Sequence, residues 1–158
     1  MAIKSKPRAG KKPPTKSSTE MIFGPEVYGH GYTGVPNIMV RAQARLGLAP
    51  VQFNILVQLL SYYYDPAKPP FPTKRELRNR MKIADSTLKK HLKELETAGL
   101  IDRVQRVTAE GDYGSNVYRL DGLIRKLRQL APEFDQERED RVERKRIVET
   151  PKGRRSVR

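Results

Sequence analysis

From Lys74 to Lys93 the chain carries eight bases (Lys74, Arg75, Arg78, Arg80, Lys82, Lys89, Lys90 and Lys93) against two acids, Glu76 and Asp85. Ammonium and guanidinium groups at this density attract phosphates, because each contact releases a condensed counterion. Within the run, Leu88, Leu92 and Leu95 recur at three- and four-residue steps, the period of a helical seam. With those leucines turned inward, Lys89, Lys90 and Lys93 are left on outward faces. The first residues of a helix laid in a major groove meet base edges. Asp85, Ser86, Thr87, Lys89 and Lys90 are therefore candidates for base contact, and Arg78 and Lys93 for phosphate, with Lys74 and Arg75 beside them as further DNA-binding candidates. The plainer alternative is a solvated helix face on which Asp85 only caps and Thr87 only packs.

Other chemistries find little support. The chain has no cysteine, which excludes disulfides and thiolate nucleophiles. Its two histidines, His30 and His91, are far apart in sequence, and His91 lies beside the leucine seam, where packing or phosphate contact suits it better than proton transfer. No glycine-rich phosphate loop, metal-ligand cluster or nucleophile motif is present, and Ser86 and Thr87 lack a base partner. The expectation is a non-catalytic protein without cofactor or metal.

The formal charge of +14 is unevenly spread. Residues 1–19 carry six bases (Lys4, Lys6, Arg8, Lys11, Lys12, Lys16) and no acid, in a Pro- and Ser-rich context with little to bury. Residues 133–158 mix nine bases with seven acids, and the middle holds nearly all the Leu, Ile, Val and Tyr. This composition predicts a disordered basic arm over 1–27, one folded domain over 28–131, and a charged tail over 132–158 that is partly helical or disordered. No apolar stretch is long enough to span a membrane. The basic start lacks the apolar core of a secretory signal, so a cytoplasmic location is expected.

The elements that must position the basic run can be read from caps and breakers. Asn37 is a candidate N-cap for a first helix reaching about Leu46, with Gly47 closing it. A second helix starts near Pro50 and buries Val51, Ile55, Leu56, Leu59, Leu60 and Tyr63. Tyr62, Tyr63 and Tyr64 read as core and rim packing. The prolines of DPAKPPFP (65–72) break the helix. Thr73 and Glu76 then form a capping-box pattern for a third helix ending near Lys82. A fourth helix runs from about Asp85 to Ala98, and Gly99 closes it. Residues 100–107 turn strand-like, TAEGDYGS (108–115) is a hairpin tip, and 116–120 return. A last helix spans Gly122 to about Ala131, with Leu123, Ile124, Leu127 and Leu130 on one side.

The run Leu92-Lys93-Glu94-Leu95-Glu96-Thr97-Ala98-Gly99-Leu100-Ile101 resembles the end of the recognition helix in bacterial winged helix-turn-helix regulators, where Leu-x-x-Leu-x-x-x-Gly-Leu-Ile leads into the wing. Residues 31–64 resemble the opening of such domains in plasmid and phage replication initiators. Gly114-Ser115-Asn116-Val117-Tyr118, with Leu120 and Gly122-Leu123, resembles their wing return and closing helix. The resemblance covers roughly residues 30–130 and implies a mainly α fold with a small β-hairpin wing. The chain departs from the pattern at Lys82, where Gly is common in the turn, and at Ala84, where Ser is a common cap. Lys82 with positive φ would be mildly strained, and Asp85 or Ser86 could cap one residue later. In the wing, Arg103, Gln105, Arg106 and Arg119 are candidates for backbone or minor-groove contact, with Tyr113 and Ser115 nearer the tip. Glu110 and Asp112 at the tip repel phosphate.

The partner expected is double-stranded DNA, bound by a sequence-specific transcriptional regulator or, alternatively, by a replication initiator at origin repeats. An RNA-binding or protein-interaction module of the same fold is the rival of another class. Only 7% of residues are aromatic, which weighs against stacking on single-stranded RNA. A homodimer suits symmetric DNA sites, although no residue pattern demands one.

Overall fold

Caps and breakers cut the chain into short helices, as a computed structural model shows for residues 16–107, 109–111 and 114–150. The chain divides into two units, Met1–Tyr32 and Thr33–Arg158. Most of the expected basic arm (residues 1–15), Asp112 and Tyr113 of the hairpin tip, and the end of the tail lie outside the described residues.

The first unit contains helix α1, Ser18–Tyr28, where an unstructured arm was expected. The Ser17 side chain caps it by accepting from the Glu20 N–H at 3.1 Å. Gly24, with φ 81°, lies outside helical geometry and puts a kink before Pro25. Tyr28 and Tyr32 stack with ring centroids 5.6 Å apart. The Gly-Pro pair obscured this helix in the sequence, because both residues ordinarily mark a break.

In the second unit, α2 (Asn37–Arg41) is shorter than expected, and Pro36 rather than Asn37 precedes it as cap. Turns follow to Gly47, which closes them at φ 66°. Helix α3 (Pro50–Leu60) begins on a proline whose missing N–H is no loss in a first turn. The Gln52 side chain accepts from the Ala49 N–H at 2.8 Å, satisfying another free donor. Helices α4 (Lys74–Met81) and α5 (Asp85–Thr97) follow the proline break. Strands β1 (Asp102–Val104) and β2 (Val117–Arg119) pair antiparallel with Arg103 opposite Tyr118. They are shorter than the strand-like runs of the sequence. Helix α6 then runs over Asp121–Glu149.

One core holds these elements together. Leu77 of α4, Leu88, Leu92 and Leu95 of α5, and Ile55, Leu56 and Leu59 of α3 are buried with Leu100, Ile101, Tyr118, Leu120 and Leu123. Removing most of one such leucine typically costs about 2–5 kcal/mol, so this cluster dominates the stability of the helix pair it anchors. Tyr63 packs partly against the core, as expected. Tyr64 does not: it is 83% exposed.

The last helix does not stop near Ala131 but continues as α6 to Glu149, into the tail that was expected to be partly helical. Pro132 removes one backbone donor, but side chains beyond it hold the helix in place. Arg45 donates to both carboxylate oxygens of Glu133 at 2.7 and 3.1 Å. Arg41 of α2 pairs with Glu137 and lies over the Phe134 ring at 4.8 Å. No helix among the described residues is long and apolar enough to cross a membrane.

Candidate nucleic-acid interface

Thr73 and Glu76 start α4 with reciprocal bonds: the Glu76 N–H donates to the Thr73 hydroxyl at 3.1 Å, and the Thr73 N–H donates to the Glu76 carboxylate at 2.7 Å. The Thr73 N–H first, and then the Thr73 hydroxyl, which donates to the same carboxylate oxygen at 2.9 Å, hold the Glu76 carboxyl below the usual glutamate range. The capping box fixes where Lys74, Arg75 and Arg78 leave the helix. At its other end Lys82 adopts the left-handed region (φ 52°, ψ 48°). The Ile83 N–H donates back to Arg78 O at 3.1 Å and closes the turn. An open groove of about 400 Å³ lies here between Arg78, Asn79, Lys82 and Ile83.

Helix α5 begins at Asp85 behind Ala84, which supplies no side-chain cap. Leu88, Leu92 and Leu95 are fully buried toward α3 and α4, so packing sets the roll of the helix. Ser86, Lys89, Lys90 and Lys93 are exposed, whereas Thr87 is half-buried. Lys90 and Lys93 make no ion pair among the described residues. On the α3 side, His91 Nδ1 and Gln52 Nε2 both meet Glu94 Oε2, at 3.0 and 2.8 Å, which gives His91 a positioning contact.

Behind α5, Gly99 turns the chain at φ 65° and Leu100 and Ile101 bury into the core. The hairpin then projects. Gln105 Nε2 donates to Gly114 O at 3.1 Å, and the Gly114 N–H donates to Arg106 O at 2.8 Å. Arg106 lies over the Phe71 ring at 5.0 Å, while Ser115 Oγ donates to Phe71 O at 2.9 Å. The segment before α4 and the hairpin are thereby tied together. These residues form a basic helix face flanked by a basic hairpin.

A family model for the DnaD N-terminal domain matches residues 35–139, two thirds of the chain. The chain belongs to the DnaD N-terminal domain family. Among solved structures it is similar to the N-terminal domain of DnaD protein from Geobacillus kaustophilus HTA426, at 22% identity and a TM-score of 0.52, covering 78% of this chain and 99% of that one. At that identity the likeness speaks for the fold alone. A Methanosarcina mazei Go1 protein described as a possible transcriptional regulator aligns at 18% identity over 73% of this chain and 88% of its own, with a TM-score of 0.42, too low to carry an argument. No curated protein matches in sequence.

Within this DnaD N-terminal domain the sequence-derived candidates separate into groups. Lys74, Arg75, Arg78, Ser86, Lys89, Lys90 and Lys93 are brought together by the α4–turn–α5 unit. Asp85 is there too, but neither it nor Ser86 is the cap that was anticipated. Its carboxylate accepts from Lys89 Nζ at 2.6 Å. Arg103 stands apart from them: its side chain pairs with Glu96, and its backbone N–H also donates to Glu96 at 3.2 Å. That pairing holds the Glu96 carboxyl below its usual range. Arg106 and Arg119 stay exposed on the hairpin, Arg119 opposite Asp102.

Two aromatic supports were missed. Besides Phe71 under Arg106, Tyr62 lies under Arg80 at 4.6 Å, which binds Arg80 to the end of α3. Nothing local in the sequence signals either pair, since the partners are 18 and 35 residues apart.

Proposed function

We propose that the chain is a double-stranded DNA-binding protein with a winged helix-turn-helix fold: α5 enters the major groove and the hairpin, as the wing, lies on the flanking backbone. The observation that carries this reading is the division of α5 into two faces. Three fully buried leucines fix its roll, and Lys90 and Lys93 stand exposed with no acid paired to them among the described residues. The contacts proposed are Ser86, Lys89 and Lys90 at base edges, Lys74, Arg75, Arg78 and Lys93 on phosphates, and Arg106 and Arg119 along the wing. The protein acts by binding and not as an enzyme, and works in the cytoplasm.

Family membership favours a role in DNA replication over control of transcription, since the DnaD N-terminal domain family is replication-related. The transcriptional reading keeps only the general likeness of the fold. Competition decides the ligand class: a labelled random duplex bound by the full chain is challenged with unlabelled duplex DNA or duplex RNA. DNA as the stronger competitor is the expected result, and RNA displacing the probe more effectively would overturn the reading.

A further inference from the structure

Asp85 is an anion in the wrong place for a phosphate-binding surface. Of the two acids between Lys74 and Lys93, Glu76 is accounted for by the capping box. Asp85 is not a cap, because Ala84 holds that position and α5 starts at Asp85 itself. Its side chain instead pairs with Lys89 at 2.6 Å, with both groups partly exposed, 38% and 58%. The charges of Lys74 and Arg78 on α4 also bear on it. A carboxylate therefore sits among three cations at the α4–α5 junction.

Resting on the DNA-binding reading above, we infer that Asp85 is a specificity-determining residue that works mainly by exclusion. On arbitrary DNA its charge opposes phosphate and keeps Lys89 engaged, so three of the strongest candidate contacts are blunted. The carboxylate gives Lys89 up without loss only when another donor takes its place. In the major groove that donor is an exocyclic amine, cytosine N4 or adenine N6. The released ammonium then reaches a neighbouring acceptor on a base or phosphate. Discrimination of this kind needs the repulsive element as much as the attractive one.

The helix dipole and an i,i+4 pair would by themselves account for an acid at this position. The two roles differ in sign. If the pair only supports the helix, Asp85→Ala and Lys89→Gln both weaken binding to random duplex. If Asp85 excludes, Asp85→Ala binds random duplex several-fold tighter, with a salt slope steeper by about one, whereas Lys89→Gln binds more weakly. Selection from a random duplex pool adds the second readout. The wild-type chain should enrich a cytosine or adenine at one position where Asp85→Ala accepts any base. Identical enrichment by both proteins, or weaker random-duplex binding by Asp85→Ala, overturns the inference while leaving DNA binding intact. A wild-type chain with no measurable duplex affinity takes the underlying reading down with it.

Discussion

Gly122 lies so close to Gly99 that a Cβ at position 122 would stand 2.1 Å from the Gly99 carbonyl oxygen. The contact joins the end of α5 to the start of α6. Beside it the Leu123 N–H donates to Leu100 O at 2.9 Å, and Lys126 Nζ donates to Ala98 O at 2.6 Å. The last turn of α5 is thus held from below by the closing helix, in addition to its leucine seam.

Gly122→Ala accordingly forces two backbones apart and should destabilise the fold by at least about 2 kcal/mol. Gly114→Ala, whose Cβ would meet Arg106 at an ordinary 3.6 Å, is the matched control and should cost less. Urea unfolding of the two variants checks the difference.

Lys82→Gly separates stability from binding. Lys82 is a non-glycine residue at positive φ, and relieving that conformation should stabilise the chain by about 0.5–1 kcal/mol. The same change removes a cation from the turn, so duplex affinity should fall while the melting temperature rises. Thermal melts and duplex titrations of one preparation give both numbers.

The Glu96–Arg103 pair sets an acid limit. Arg103 lowers the folded-state pKa of Glu96 from 4.5, so the stability it contributes is complete above that value and is lost as pH falls through the lower folded-state value. Glu96→Gln should make stability less dependent on pH in this acid range. Denaturation midpoints measured at descending pH should converge for the two proteins; parallel curves would contradict the assignment.

Beyond Pro132, α6 depends on Arg41 and Arg45. Replacing both with Ala should speed amide exchange at 133–140 while leaving 123–130 protected by Leu123 and its neighbours. Hydrogen exchange resolved along the helix reads this directly.

Short-range signals made much of the domain legible. Pro50, the Thr73–Glu76 box, Gly99 and the leucine seam all act within a few residues, and α3, α4 and α5 formed close to where these placed them. The left-handed Lys82 was foreseeable because the turn needs positive φ and offers no glycine. What stayed hidden depends on distance. Local pairs such as Arg141 with Glu137 support the charged stretch after Pro132 as a helix, but Arg45 meets Glu133 across 88 residues, and that contact with its Arg41 counterpart ties the stretch to the domain. The candidate interface divides in the same way. Lysines outward of the seam follow from helical period, whereas the pairing of Arg103 depends on Glu96 lying under β1.

The account turns on whether the outward face of α5 holds phosphate and base edges. Its most direct test is the salt dependence of duplex binding by the wild-type chain and by Lys90→Glu, a substitution at an exposed position away from the core. The account predicts a steep fall in wild-type affinity with salt, and for Lys90→Glu a loss of about tenfold or more with a shallower slope. Equal affinities and equal slopes for the two proteins would contradict it.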